Sequence, residues 1–148
     1  MPRCFEDYAV GEVILSQGRT ITETDVVSFA ALTADWNEIH TNEEFARKGF
    51  YGHRIAHGAL IFSISMGLFA LNGRSQQPDL IAFYGVDRLR FIKPVFLGDT
   101  IRLKQTVQSL EAHQEKAGAM VNLTHDVLNQ AGVVVLSYTA KLLVRRRS

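Results

Sequence analysis

The chain has one cysteine, three prolines and one tryptophan in 148 residues. A lone thiol, Cys4, closes no intrachain disulfide and builds no cysteine-based zinc site. An excess of one charge is also missing: 16 Lys and Arg against 15 Asp and Glu leave a formal +1. No global field therefore attracts nucleic acid. No run reaches the ~20 apolar residues of a membrane helix. The uncharged stretch from Gly58 to Gly73 is too short, is interrupted by Ser63, Ser65 and Gly67, and reads as a buried core helix. The N-terminal Met1-Pro2-Arg3-Cys4-Phe5-Glu6-Asp7 lacks the apolar core of a signal peptide, so a cytoplasmic location is the expectation. There is no Gly-rich phosphate loop, no Gly-x-Ser-x-Gly elbow and no pair of metal-ligand histidines at helical spacing. Neither a metal nor membrane contact is expected.

What remains is ordinary globular composition, 47% hydrophobic and 21% charged, sized for a single domain over residues 1–148 with a real core. Val13 to Thr20 reads as a strand after the turn residue Gly11. Thr22 and Asp25 form an N-terminal cap pattern for a helix running to Thr33-Ala34. Thr41 and Glu44 repeat the pattern and predict a short helix through Lys48, with His40 just before it. A long apolar helix follows from about Gly58 to Leu71, stopped at Asn72-Gly73 and expected to be covered on most sides. Four strand-like runs complete the chain: Leu80 to Ile92, the alternation around Ile101, Leu103 and Val107, that around Val121, Leu123 and Val127, and Val133 to Val144. Period-two alternation between turn residues predicts an antiparallel sheet with one face covered, an α+β fold.

Two stretches carry chemistry. Asp35-Trp36-Asn37-Glu38-Ile39-His40 sets a carboxylate and an imidazole together after the first helix, with Trp36 and Ile39 expected to lower the local dielectric. Burial there suits a water-activating acid–base pair. His57-Gly58 opens the long helix. A glycine amide at a helix N-terminus faces free space, adds the positive end of the dipole and lets a carbonyl oxygen approach closely. His125 falls on the apolar parity of its strand and reads as a core or interface histidine. His113 falls in a polar turn. Arg88, Arg90 and Lys93 either meet phosphates or keep an outer sheet face soluble. Arg145-Arg146-Arg147 reads as a solvated tail.

Asp-x-Asn-x-Ile-His followed by Ile-x-His-Gly and an apolar helix resembles the MaoC-like family of R-specific enoyl-CoA hydratases. Phe91-x-Lys93-Pro94-Val95-Phe96-x-Gly98-Asp99 is similar to that family's strand-and-turn segment. The resemblance runs from about Val10 to Val144. It implies a hot-dog fold, an antiparallel sheet wrapped round one long helix. It also implies a homodimer or an assembly of dimers acting on acyl-CoA near the subunit interface. Asp35 and His40 would activate the water added across a trans-2-enoyl bond, and Gly58 would meet the thioester oxygen. Asn37, His57 and Met66 would contact or support the substrate. No cofactor is implied beyond coenzyme A as part of the substrate.

This chain departs from the family pattern in carrying Glu38 where proline is common and Met66 where some members have serine. Glu38, Arg54 or His53 could serve a polar, dicarboxylic acyl chain. Two rivals stay open: an acyl-CoA thioesterase on the same fold, and a non-catalytic acyl-thioester-binding module.

Overall fold

The computed structural model describes residues 2–72, 78–112 and 118–147. A 3-10 turn, Phe5–Asp7, precedes strands β1 (Val13–Leu15) and β2 (Arg19–Thr20) and helices α1 (Glu23–Thr33), α2 (Glu38–Thr41), α3 (Glu43–Arg47) and α4 (Gly58–Ala70). Strands β3 (Leu80–Phe91), β4 (Thr100–Glu111), β5 (Gly118–Leu128) and β6 (Val134–Arg145) follow. The sheet is antiparallel, in the order β1-β4-β5-β6-β3, with β2 also on β4. Its inner face carries Ile101, Leu103, Val107, Leu123, Val127, Leu136, Ala140 and Leu142, all fully buried. Helix α4 lays Leu60, Ile61, Ile64 and Leu68 on that face. This is the hot-dog arrangement. No helix of the described residues is long and apolar enough to cross a membrane.

Local chemistry explains where most elements begin and end. Thr22 accepts from the Asp25 amide at 3.2 Å while the Asp25 carboxylate accepts from the Thr22 amide at 2.9 Å, a complete capping box. The β5–β6 turn closes on Asn129, whose side chain accepts from the amides of Ala131 and Val133, with Gly132 at φ 75°.

Three expectations need correction. The first strand breaks after Leu15, because Ser16 turns its hydroxyl onto the Leu103 amide (2.8 Å) and ends the ladder. Asn42, not Thr41, caps the short helix, accepting from the Phe45 amide at 3.1 Å. The Thr41 hydroxyl instead donates to the Trp36 carbonyl, so residues 38–41 form their own helical turn with His40 inside it. Helix α4 is covered on most sides, as expected, with a stripe of small residues, Ala59, Ser63, Gly67 and Ala70, exposed in the single chain. Arg146 and Arg147 are not a free tail; they pair with Glu6 and Asp7. Gly73 and His113 lie outside the described residues.

One polar rung crosses the apolar face. Gln105, His125 and Tyr138 are register partners on β4, β5 and β6, all buried, and Ser65 of α4 closes over them. The Tyr138 hydroxyl lies 2.9 Å from His125 Nδ1 and 2.8 Å from Ser65 Oγ. His125 is thus the core histidine its strand parity predicts.

Candidate active site

The site is built where the α1–α2 loop meets the start of α4. Helix α1 ends on Ala34 in the left-handed conformation, φ 61°, which turns the chain so that Asp35 follows outside the helix. Asn37 caps α2, its side chain accepting from the Ile39 amide at 3.1 Å, and so sets the turn that carries His40. Ile55 lies across this turn, donating its amide to the Ile39 carbonyl at 3.2 Å. Its own carbonyl accepts from His40 at 2.7 Å. A carbonyl only accepts, so the His40 proton is on Nδ1 and Nε2 keeps its lone pair. Burial holds the His40 pKa below the ordinary histidine value, so the ring is a neutral base near pH 7.

His57 lies behind His40. The rings stack at 3.9 Å between centroids, 30° apart, and His57 Nε2 donates to the Asp35 carbonyl at 2.9 Å. One donor atom from each of Asp35, His40 and His57 falls within 4.8 Å of the others. Imidazole lone pairs lie in the ring plane, so two stacked rings direct theirs side by side rather than toward one ion. The arrangement favours proton handling over metal binding.

A cavity of about 310 Å³ opens beside this cluster, lined by His40, Gly58, Ile61, Lys93, Val135 and Leu136 among others. Gly58 is the first residue of α4, and the first amides of a helix have no partner within it. A Cβ on Gly58 would come within 2.7 Å of the Phe91 ring, so only glycine fits without moving that ring. The cavity therefore presents a neutral imidazole and a helix-end amide to one volume, with the Asp35 carboxylate next to the imidazole. The remaining lining is mostly apolar, with Tyr51 and Lys93 as its polar side chains.

The other candidates take different positions. His57 is 2% exposed and stands behind His40 rather than on the cavity wall. Asn37 shapes the loop. Met66 packs at the polar rung, its sulfur 3.4 Å from the Tyr138 hydroxyl oxygen, away from the cavity lining. Trp36 is 51% exposed and does not shield Asp35, which is itself exposed. The low dielectric expected at Asp35 is absent from the single chain.

Arg54 is held at 2.7 and 2.8 Å by Glu23 and at 2.9 Å by Glu43. Hydrogen bonds from His53 and then Arg54 hold the Glu43 carboxyl down to about 2. Glu38 accepts from Asn42 at 2.8 Å. Arg54, His53 and Glu38 are thus each engaged by another side chain, and none lines the cavity. Tyr51 and Phe91 do line it and were not singled out; the glycines flanking Phe50-Tyr51 were the available signal for a loop tip. Arg88 lines a separate shallow groove with Asp87 and Gln108, and Arg90 donates to the Leu89 carbonyl at 2.9 Å.

A sheet wrapped round one helix, with an aspartate, a histidine and a helix-end amide gathered at the helix's N-terminal end, defines a hot-dog protein of the dehydratase kind. The chain belongs to the MaoC-like family: the MaoC like domain matches residues 7–128. It is 35% identical over 143 residues to an (R)-specific enoyl-CoA hydratase of Rhodospirillum rubrum, covering 97% of this chain and 92% of that protein. It is 38% identical over 123 residues to Protein MaoC of Klebsiella aerogenes, covering 80% of this chain and only 36% of that longer protein. The X-ray structure of a monoamine oxidase regulatory protein from Archaeoglobus fulgius superposes with a TM-score of 0.92 at 39% identity, covering 99% of this chain and 97% of that one.

Proposed function

We propose that this chain is a hydro-lyase that reversibly adds water to a trans-2-enoyl-CoA to give an R-3-hydroxyacyl-CoA. One observation carries the reading: the basic Nε2-bearing ring of His40 and the amide end of α4 at Gly58 line one apolar cavity. In this mechanism His40 and Asp35 hold a water at C3, and the pair takes its proton. Negative charge moves to the thioester oxygen, where the Gly58 N–H and the α4 dipole stabilise the enolate. The proton returns to C2 from the same pair, which makes the addition syn. The relative named (R)-specific enoyl-CoA hydratase supports this assignment.

The acyl group is a short hydrocarbon in this reading. The cavity lies at the lower end of the ~300–1,000 Å³ range of small-molecule pockets, and Arg54 and His53 are occupied elsewhere. The active form is a homodimer. Strand β3 is a sheet edge and exposes Leu80, Ile81, Phe83, Tyr84 and Phe91, a surface that a second copy would cover.

The test is hydration of crotonyl-CoA, followed by loss of enoyl absorbance with chiral analysis of the product. Asp35→Asn and His40→Ala should each lower turnover by at least ~100-fold with the fold intact. Near-normal turnover in either variant refutes the assignment. Free thiol release in place of hydration would identify the thioesterase rival.

A further inference from the structure

The cavity has a wet end and a dry end. Ile61, Val95, Val135 and Leu136 are each at most 4% exposed and form its inner wall. Phe91, Ile92 and Lys93 are exposed and form its mouth. Lys93 is the one side chain of the lining with a fixed positive charge, since Arg and other Lys residues are absent from it. Its backbone is fixed by the hydrogen bond its N–H donates to the Val135 carbonyl at 3.1 Å and by Pro94 after it. Its ammonium group is free: among the described residues no carboxylate pairs with it, whereas Arg54 and Lys141 are both engaged.

Resting on the hydratase reading, we infer that Lys93 is the phosphate-binding residue for the carrier arm of the substrate. The acyl chain enters toward the dry wall, because burying its methylenes there is favourable. The pantetheine arm then leaves through the mouth. The anionic group it brings past Lys93 is a phosphate ester, and a strongly hydrated ammonium suits a phosphate as a point charge. That chemistry has two sources, the phosphates of coenzyme A and the phosphodiester of a carrier-protein phosphopantetheine. An acyl carboxylate would sit at the opposite, uncharged end of the cavity. Arg88 and Arg90 do not share this task, one lying in another groove and one turned onto its own backbone.

The experiment compares crotonyl-CoA, a crotonyl carrier-protein thioester and crotonyl-N-acetylcysteamine, which has no phosphate. Lys93→Met should raise KM for a phosphate-bearing substrate about three- to fivefold with kcat nearly constant. An exposed charge pair gives an effect of that size, and added salt should erase it. KM for the N-acetylcysteamine ester should change less than twofold, and Lys93→Arg should retain most of the affinity. A loss confined to crotonyl-CoA assigns the phosphate to the nucleotide, and one confined to the protein thioester assigns it to the carrier. Equal losses on all three substrates, or no loss on either phosphate-bearing one, overturn the inference. If the wild-type chain hydrates none of the three, the hydratase reading itself fails.

Discussion

Gly58→Ala separates the chemical use of this glycine from its use in packing. The new Cβ would stand 2.7 Å from Cδ1 and Cε1 of Phe91, about 1 Å inside normal carbon contact. Backbone geometry poses no obstacle, because Gly58 is not among the glycines at positive φ. Alanine is the better helix former by up to ~1 kcal/mol. The clashing ring belongs to Phe91, which is 57% exposed at the end of β3 and can swing outward. The two effects on stability oppose each other, so the melting temperature should stay within about 4 °C of wild type. Activity should behave otherwise. The methyl and the displaced ring both crowd the approach to the Gly58 amide, and loss of one such donor costs ~10²–10³ in kcat. Crotonyl-CoA hydration should therefore fall about 100-fold while the thermal melt barely moves. Adding Phe91→Ala should recover part of the rate by giving the methyl room. Activity within about threefold of wild type in Gly58→Ala would refute the oxyanion role. A large drop in melting temperature would show that the glycine serves packing instead.

Arg54→Ala should lower kcat several-fold with little change in KM, because Arg54 ties α1 and α3 to the segment whose Ile55 carbonyl orients His40; steady-state kinetics on crotonyl-CoA check this, and a pure KM effect would contradict it. Acid should weaken the fold before carboxylates titrate. Burial lowers the pKa of His125 to about 3 and that of His40 below its ordinary value, so between pH 6.5 and those values the unfolded chain binds more protons than the folded one. Stability then falls as pH falls, by about 1 kcal/mol for His125 from pH 7 to 5.5 with a contribution of the same sign from His40, read from urea midpoints; a flat profile would refute it. Tyr84→Lys on the exposed edge of β3 should shift the chain toward monomer in sedimentation, and an unchanged mass would exclude β3 as the interface.

The strands β4, β5 and β6 were legible because each buries one face, and burial of one face writes itself as alternation. The α1 cap was legible because a Thr and an Asp three residues apart satisfy two free amides at once. Failures came where several residues compete for one role. Thr41 and Asn42 both suit a helix cap; the structure uses Asn42 because the Thr41 hydroxyl is spent on the Trp36 carbonyl. The convergence of Asp35, His40 and Gly58 was readable, since the residue types at those positions suit one proposed site. Met66 was not, because spacing along α4 does not say which side of the helix meets the cavity and which meets the Tyr138 rung. Trp36 misled for a related reason: an apolar residue in a loop next to a carboxylate need not cover it.

Half-buried His40 and fully buried His125 differ in what each could do as a base. Ser65 gives its hydroxyl proton to the Phe62 carbonyl at 2.6 Å. The 2.8 Å contact from Tyr138 to Ser65 then requires the tyrosine proton, and the 2.9 Å contact from His125 to Tyr138 requires a proton on His125 Nδ1. His125 is therefore in the same Nδ1–H tautomer as His40, and both are neutral. The difference is what Nε2 meets. On His125 it lies buried among the described residues without a partner, and burial suppresses its protonation down to about pH 3. On His40 the ring lines an open cavity, and the nearby Asp35 charge partly offsets the desolvation. A base must gain a proton at reachable cost and pass it to something within reach. The core fixes His125 in a proton chain that ends on a helix carbonyl, whereas the α2 turn holds His40 by one nitrogen and leaves the other at the cavity.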